Sequence, residues 1–533
     1  MKKTMKQHSF TSQLKSLAVV FGIALAFASC ANEDVAQNPT NPNEETNNNL
    51  TTFVAGDETK TRTSLDYNSS DFSWEAGDYI YVKDDDGTLQ KSSNTPTSKV
   101  ASFKYKVPGK FTAHSSYKVY YLGKNSSGNS VTISTAQSQT APDNTEHFGT
   151  AGDYGTATAT KVTGKNQFAF ELEHQPAYLV FQPYTSNTIL HNCYLTGVEV
   201  TSDNDIAETY TVNTTTGALV ASAVTNGDKI VLTTSGSSSN PNGFPLTNNS
   251  ASVTTNGAYM VIKPGTHTLK VRYWVKDVAT NVEGTITKTL AQETYKPNTY
   301  YDMTANLNVR NYDGDKYYMW DAEKQYWEGH EWNKGGSQPT LMTQSASSDY
   351  PQNSSDPNHR YYHGGGGSGR FDATQSCATL PNANEMSWYA MYGDPRWDAD
   401  ELWTTMGHLY KGGMWFKKKS VLQAENHYDT EKSADGSTDL RTTWKNYYNN
   451  SSSIYNSGLP SAADANKYFY LPALGYYNDG RLNDVGDIGY YWSSSADPLN
   501  YNNAYYLYFG SGGGGVRVGS INRYNGFRAE ALL

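Results

Sequence analysis

The chain has 533 residues, with 42 lysines and arginines against 52 aspartates and glutamates and a formal net charge of -10. This length exceeds what one hydrophobic core holds and predicts about three domains. The acidic balance, without a basic tract, argues against nucleic acid as a partner. The 42 tyrosines and 45 glycines, together with abundant threonine, asparagine and serine, predict a mainly β protein.

The first 29 residues are organised as a secretory signal. Four lysines and no acid stand among residues 2–15, an apolar stretch covers residues 17–28, and Cys30 follows a small-residue cleavage site. Twelve apolar residues are too few for a membrane-spanning helix. We expect residues 1–29 to be a lipoprotein signal peptide, with diacylglycerol and palmitate on Cys30 as the membrane anchor. The alternative is an ordinary secretory signal that happens to end at a cysteine.

Cleavage at that point would leave 504 residues, 533 minus 29, with 38 basic against 52 acidic side chains. Residues 30–50 have almost nothing to bury and are predicted to be a disordered tether. Short alternating or β-branched segments then read as strands, and their spacing predicts two β-sandwich units, residues 51–165 and 166–309. A turn at Pro264-Gly265 predicts a hairpin between two of these strands. The predicted strands are residues 51–55, 79–83, 118–123, 168–172, 177–184, 195–200, 259–262 and 269–275.

Residues 310–533 differ in composition and are predicted to be a separate α+β module, because they hold 25 of the 42 tyrosines and nine of the 11 tryptophans. A capping box at Asn382 and Glu385 predicts a helix. A second helix is predicted from Asp398 to Gly412 on the spacing of Leu402, Met406 and Leu409. Strands are predicted at residues 468–471, 489–493, 504–509 and 516–518, with a glycine-rich turn at residues 510–515.

Candidate chemical sites are few. Beyond Cys30 only Cys193 and Cys377 remain, so we expect no disulfide framework. The oxygen-rich stretch 478–489 lacks the EF-hand spacing and predicts a solvated loop. No nucleophile elbow, zinc helix or phosphate loop occurs, and the neighbouring acids Asp398 and Asp400 are interpreted as helix caps rather than a glycosidase pair. The chain is predicted to be no enzyme and to need no metal or other cofactor.

Two motifs carry a family resemblance. Thr61-Arg62-Thr63, followed by Trp74 and Gly77-Asp78 in the pattern Trp-x-x-Gly-Asp, resembles the fimbrillin family of Bacteroidota pilus subunits, over roughly residues 30–308. The resemblance implies two tandem transthyretin-like β-sandwiches and a closing strand near residues 300–307. Glu33 and Asp34 are similar to the acidic signal that exports lipoproteins of that phylum to the cell surface.

The same resemblance implies a route of assembly. A lipoprotein precursor reaches the outer membrane, an arginine-specific protease cuts after Arg62, and the strand at residues 51–55 leaves. The emptied groove then accepts a strand from another pilus subunit, which is β-strand addition. Arg62 as a plain loop arginine is the alternative.

The C-terminal module resembles the Fibrobacter major paralogous domain, which is similar to C-type lectin-like folds. The motifs are Leu380-Pro381 before the capping box, residues 489–494, residues 504–507 and Asn525-Gly526-Phe527. The family's final cysteine is replaced here by Arg528 and its neighbours, so the resemblance implies no partner for Cys377.

These expectations combine into one functional hypothesis, a pilus tip subunit and adhesin on the cell surface. The module would bind a glycan or protein ligand from host or microbe, and Tyr490, Tyr491 and Trp492 are the candidate contacts because aromatic rings stack on sugars. The alternatives are a surface lipoprotein that binds glycans without polymerising and, less favoured, a glycan-active enzyme.

Overall fold

The computed structural model describes residues 5–9, 50–56, 64–67, 71–124, 126, 128–279, 281–365 and 368–532. These residues form a mainly β protein, which confirms the predicted class. Across the described part of the chain, no helix is long and apolar enough to cross a membrane.

The elements are numbered in chain order. Before residue 175 the strands are β1 (Met5–Ser9), β2 (Leu50–Ala55), β3 (Ser64–Asp66), β4 (Asp71–Ser73), β5 (Tyr81–Lys83), β6 (Leu89–Lys91), β7 (Phe103–Pro108), β8 (Ser116–Tyr121), β9 (Ser130–Thr132), β10 (Ala136–Ser138), β11 (Gly155–Lys161), β12 (Gln167–Phe170) and β13 (Glu173–His174). Up to residue 309 follow β14 (Ala177–Tyr184), β15 (Cys193–Ser202), β16 (Glu208–Val212), β17 (Leu219–Ala223), β18 (Lys229–Thr233), β19 (Phe244–Pro245), β20 (Ala258–Ile262), β21 (Gly265–His267), β22 (Leu269–Asp277), β23 (Val282–Thr289), β24 (Glu293–Tyr295) and β25 (Thr299–Asn306). The remaining strands are β26 (Asn311–Tyr312), β27 (Tyr317–Tyr318), β28 (Arg396–Thr405), β29 (His408–Lys417), β30 (Tyr447–Asn449), β31 (Tyr468–Pro472), β32 (Leu474–Asn478), β33 (Arg481–Val485), β34 (Ile488–Ala496), β35 (Asn503–Gly510), β36 (Val516–Asn522) and β37 (Phe527–Arg528). The helices are α1 (Phe148–Ala151), α2 (Val253–Asn256), α3 (Ala383–Tyr392), α4 (Lys419–Ala424) and α5 (Ser453–Asn456).

The first unit is one curved sheet in the order β6-β5-β8-β11-β12-β2-β7, with β13 beside β11. The backbone N–H of Ser93, just after β6, donates to the carbonyl of Lys106 in β7 at 2.7 Å, which joins the two edges into a barrel-like closure. The strand β12 belongs to this sheet, whereas the predicted boundary at residue 165 assigned it to the second unit. That boundary falls one hairpin too early, because β11 and β12 pair with each other.

The second unit packs two sheets around one core. One sheet has the order β1-β25-β14-β20, in which β1 comes from the predicted signal peptide and would be absent after its cleavage, and the other contains β10-β18-β15-β22-β23. The predicted closing strand near residues 300–307 is confirmed as β25. The predicted hairpin at Pro264 is wrong, since β20 and β22 lie in opposite sheets and the chain crosses between them through β21.

The two units interlock. The connection from β8 to β11 leaves the first unit, and its strands β9 and β10 pair with β16 and β18 of the second. Two buried glutamines there, Gln137 and Gln139, bond with their side-chain amides to the backbone of β20 at Val261 and Tyr259 and to the Gly257 carbonyl just before it. These bonds take the place of strand pairing and fix the units to each other.

The third unit is α+β, as its sequence predicts. The helix at Asn382 is confirmed as α3, with both bonds of the capping box present. The four predicted strands are confirmed in β31, β34, β35 and β36, and the glycine-rich turn joins the last two. The first and last parts of the unit meet where β27 pairs with β37.

The predicted helix from Asp398 is wrong, because residues 396–417 form the hairpin β28–β29. Met406 and Gly407 both have positive φ, 48° and 80°, which suits a two-residue hairpin turn. The Asp398 carboxylate accepts hydrogen bonds from the N–H groups of Asp400 and Glu401, as a helix cap would. Here those bonds stabilise a β-bulge.

This hairpin also joins the third unit to the second through a buried polar cluster, which we call the joint. The Arg272 guanidinium of β22 lies 2.9 Å from Asp398 and 2.7 Å from the Thr285 hydroxyl. Glu401 accepts hydrogen bonds from the backbone N–H and the hydroxyl of Thr287. Burial has the largest effect on the pKa of the Glu401 carboxyl and raises it, and the nearby Asp398 charge raises it further. The two sides of the joint are neighbouring strands of one sheet, since β23 meets β28 where Thr285 lies opposite Glu401.

Asp398→Ala tests the joint. Removing one partner of a buried ion pair leaves Arg272 uncompensated, so we expect a loss of about 3–5 kcal/mol in the free energy of unfolding. Asp400→Ala is the matched control, because Asp400 meets only the half-exposed Lys411, and should cost under about 0.5 kcal/mol. Urea denaturation followed by tryptophan fluorescence measures both. Equal effects would contradict the joint.

Candidate functional site

The strand β2 lies inside the first sheet and not at its edge. It pairs in parallel with β12, from Thr52 opposite Gln167 to Ala55 opposite Phe170. On its other side it pairs antiparallel with β7, from Leu50 opposite Pro108 to Ala55 opposite Phe103. The predicted strand at residues 51–55 is therefore confirmed, and it bridges two strands that do not pair with each other.

The side chain of Phe53 fills the core beneath β2. Its ring is fully buried, stacks on Phe168 with centroids 5.2 Å apart and meets the edge of Phe111 at 5.1 Å. Ala55 points into the same core. Withdrawal of β2 would open a groove with unpaired backbone on both walls and an aromatic pocket at the Phe53 position. We call this position the β2 groove.

The described structure resumes at residue 64, shortly after the predicted cleavage point, and the chain is anchored there. Arg62 and Cys30 themselves lie outside the described residues. The Tyr67 hydroxyl donates to the Asp302 carboxylate of β25 at 2.9 Å, and the Gln182 amide donates to the same oxygen at 2.8 Å. Burial, together with the bond to Asp302, raises the pKa of Tyr67 to about 12. The segment after residue 63 is thus fastened to the second unit independently of β2.

Two of the three predicted ligand contacts are core residues. Trp492 and Tyr491 are fully buried, and they donate to the carbonyls of Tyr318 and Pro472. The expectation that they contact a ligand is therefore wrong. Phe527 of β37 stacks on the Trp492 ring and equally on the Tyr490 ring, with centroids 4.4 Å apart in both pairs. Tyr490 stays partly exposed beside the same ring.

Tyr490 belongs to a row of side chains across the sheet of the third unit. Tyr490 lies opposite Tyr508, Tyr508 opposite Arg517, and Arg517 opposite Tyr448. The ring centroids of Tyr490 and Tyr508 are 5.2 Å apart, and the Arg517 guanidinium lies 4.4 Å above Tyr508. Tyr448, at the outer end, is 55% exposed. We call these four residues the aromatic row.

Sequence reasoning did not single out Tyr508, Arg517 and Tyr448. The alternation of Tyr506 and Tyr508 within a predicted strand was the available signal, since side chains two apart share a face. Their alignment depends on strand register, which the sequence alone does not supply. The aromatic row is suited to flat, non-covalent contact with a ring-shaped or extended ligand.

Other sequence candidates have structural roles. The oxygen-rich stretch 478–489 forms the hairpin β32–β33 and the start of β34, and its turn residues Asp479 and Gly480 have positive φ. Among the described residues, no group of three or more His, Cys, Asp or Glu side chains is placed to hold a metal ion. Cys193 and Cys377 are buried free thiols, and burial raises the pKa of each to about 12.

Comparison with known proteins gives weak likenesses. No family profile matches the chain, and no curated protein does. A solved structure provisionally named as a cell adhesion protein, from Bacteroides ovatus, is 13% identical, with a TM-score of 0.30 over 49% of this chain and 93% of that one. The fimbrial anchor protein Mfa2 from Porphyromonas gingivalis is 14% identical, with a TM-score of 0.21 over 45% and 82%. A fimbrial protein from Bacteroides ovatus is 11% identical, with a TM-score of 0.22 over 90% and 98%. TM-scores at this level do not establish a common fold.

Proposed function

We propose that this chain is a pilus subunit with an adhesive role at the cell surface. In this account the precursor is a lipoprotein held in the outer membrane through Cys30. A cut after Arg62 releases β2, a strand from a neighbouring subunit enters the β2 groove, and the third unit presents a ligand-binding face at the pilus tip.

The position of β2 carries the proposal. A strand at a sheet edge leaves one neighbour unpaired when it departs, whereas β2 leaves both β12 and β7 unpaired and empties the Phe53 pocket. An incoming strand regains backbone hydrogen bonds on both sides and apolar burial beneath. The anchor at Tyr67 supports the account, because it holds the segment that follows the cut against β25 without any contribution from β2.

The tip position rests on the third unit. Its last strand, β37, pairs with β27 and β34, and Phe527 is fully buried among Trp492, Tyr490 and Tyr506. Leaving that site would expose Phe527, so β37 is not free to enter another subunit. In the proposed assembly this subunit accepts a strand at the β2 groove and displays its third unit outward.

Processing at Arg62 is tested on protein sheared from cells. We expect N-terminal sequencing and intact mass to give a chain that begins at Thr63, and Arg62→Ala to remain as the lipid-modified form that begins at Cys30. Lys60→Ala is the matched control and should still be processed, since the arginine is intact. A wild-type chain found only as the lipid-modified form would favour a lipoprotein that does not polymerise.

The adhesive part of the proposal assigns glycan contact to the aromatic row. Stacking of sugar rings on tyrosines uses few rotatable bonds, and Arg517 adds hydrogen-bond donors beside Tyr508. Tyr448 is the informative position, because its exposure lets the ring be removed without disturbing the core.

A glycan array with the full-length protein measures this contact. We expect Tyr448→Ala to weaken binding of a positive glycan by about tenfold, with unchanged thermal stability. Tyr501→Ala, in the turn between β34 and β35, is equally exposed at 58% and should bind as the wild type does. Glycan binding that Tyr448→Ala leaves intact would remove the row from the account.

A further inference from the structure

The strand β17 forms the open edge of a small sheet on the second unit. This sheet has the order β17-β16-β9, and no strand of the described chain pairs with the outer side of β17. The Val220 side chain in this strand is 51% exposed. Such an edge presents unpaired backbone groups to any extended segment that approaches it.

The hydrogen bonds of the hairpin show which backbone groups of β17 are free. The N–H of Asn213 donates to the Ala218 carbonyl at 2.8 Å, at the base of the β16–β17 hairpin. On the other side of β16, the Val212 N–H donates to the Asn129 carbonyl at 2.9 Å, toward β9. Bonding direction alternates along an antiparallel ladder, so every second residue of β17 bonds to β16. The residues whose N–H and carbonyl groups point outward are Leu219, Ala221 and Ala223.

This edge is held in a fixed, extended position. Leu219 packs against the core of the second unit, together with Tyr210 of β16 and Val224 just after β17. Hydroxyl pairs on the opposite face join β16 to β9 at 2.7 Å, namely Ser130 with Thr211 and Thr132 with Thr209. Because the strand is already ordered, pairing with a second strand costs little conformational entropy.

The strand β17 lacks the features that protect sheet edges. Natural edge strands carry lysine, proline or a bulge, which discourage pairing with other chains. No charged residue and no proline occurs between Glu208 and Asp228, and the β16–β17 register has no shift. The edge strands β6 and β7 of the first unit, in contrast, carry Lys91, Lys104 and Lys106.

The sequence of β17 is complementary to itself. In an antiparallel pair with a twofold axis at Ala221, that residue lies opposite its own copy, and Leu219 lies opposite Ala223. These are the residues with outward backbone groups, so each opposed pair exchanges two backbone hydrogen bonds. Val220 then lies opposite Ser222, and no like charges meet.

We propose that β17 is an interface between two copies of this chain, which pair antiparallel about Ala221 and join their small sheets into one. A second copy is the occupant because its β17 offers the same free backbone groups and neutral side chains that match in this register. Five paired residues on each copy cover less than the about 1,200 Å² of stable complexes, so the association is weak and depends on concentration. The contact needs neither the β2 groove nor a ligand of the third unit.

Sedimentation equilibrium of residues 31–533, which lack the predicted signal and lipid, tests the interface. We expect the wild-type chain to show a monomer–dimer equilibrium. Ala221→Lys and Ala221→Glu should each weaken dimerisation by about fivefold or more, because the twofold pair places like charges directly opposite each other. An equimolar mixture of the two variants, one of them labelled, should associate again, since lysine then faces glutamate.

Two further variants complete the test. Thr214→Lys adds the same charge in the exposed turn before β17 and should dimerise as the wild type does. Ala221→Pro removes an outward N–H, which an edge strand tolerates, and should abolish dimerisation. A wild-type chain that is monomeric up to about 1 mM, or a dimer that Ala221→Lys leaves unchanged, would overturn the proposal. Failure of the mixed variants to associate would overturn it as well.

Discussion

The N-terminal sheet depends on one short strand that bridges two others. β12 and β7 meet only through β2, and the aromatic core beneath them is completed by Phe53. Removing β2 from this sheet costs free energy, because it exposes unpaired backbone groups of β12 and β7 and the aromatic core at the same time. Residues 57–63 follow β2 and include Arg62. Cleavage after Arg62 would separate β2 from the anchored residue Tyr67.

Buried polar contacts join the three units to one another. Gln137 and Gln139 carry part of the first unit's chain onto β20 of the second, and the joint at Arg272, Asp398 and Glu401 ties the second unit to the third. The glutamine amides at one junction and the Arg272 Nη2 group at the other make buried hydrogen bonds, which a change in the angle between units would break. The first unit contacts the second through the pairing of β9 and β10, and the second unit meets the third where β23 pairs with β28.

Local patterns predicted much of the fold, and long-range pairing decided the rest. The largely apolar run of β14, the alternating residues of β22 and the capping box of α3 were sufficient, because their signals are contained in a few neighbouring residues. The helix predicted at Asp398 failed because a carboxylate that accepts two backbone N–H groups serves a bulge as well as a helix start. Trp492 and Tyr490 share a strand face, and Phe527 stacks on both rings with centroids 4.4 Å apart, a contact that no local pattern reports. The Trp-x-x-Gly-Asp motif has a structural basis: Trp74 and Asp78 are fully buried, and Gly77 has a φ of 84°.

The central claim is that the β2 groove accepts a strand supplied from outside. The most direct measurement is binding of a labelled peptide with the sequence of residues 50–56 to the chain that begins at Thr63, followed by fluorescence anisotropy. The account predicts saturable binding, weakened about tenfold or more when the peptide carries Phe53→Asp, since a charge cannot occupy the pocket against Phe168. No binding, or equal binding of the two peptides, would contradict it.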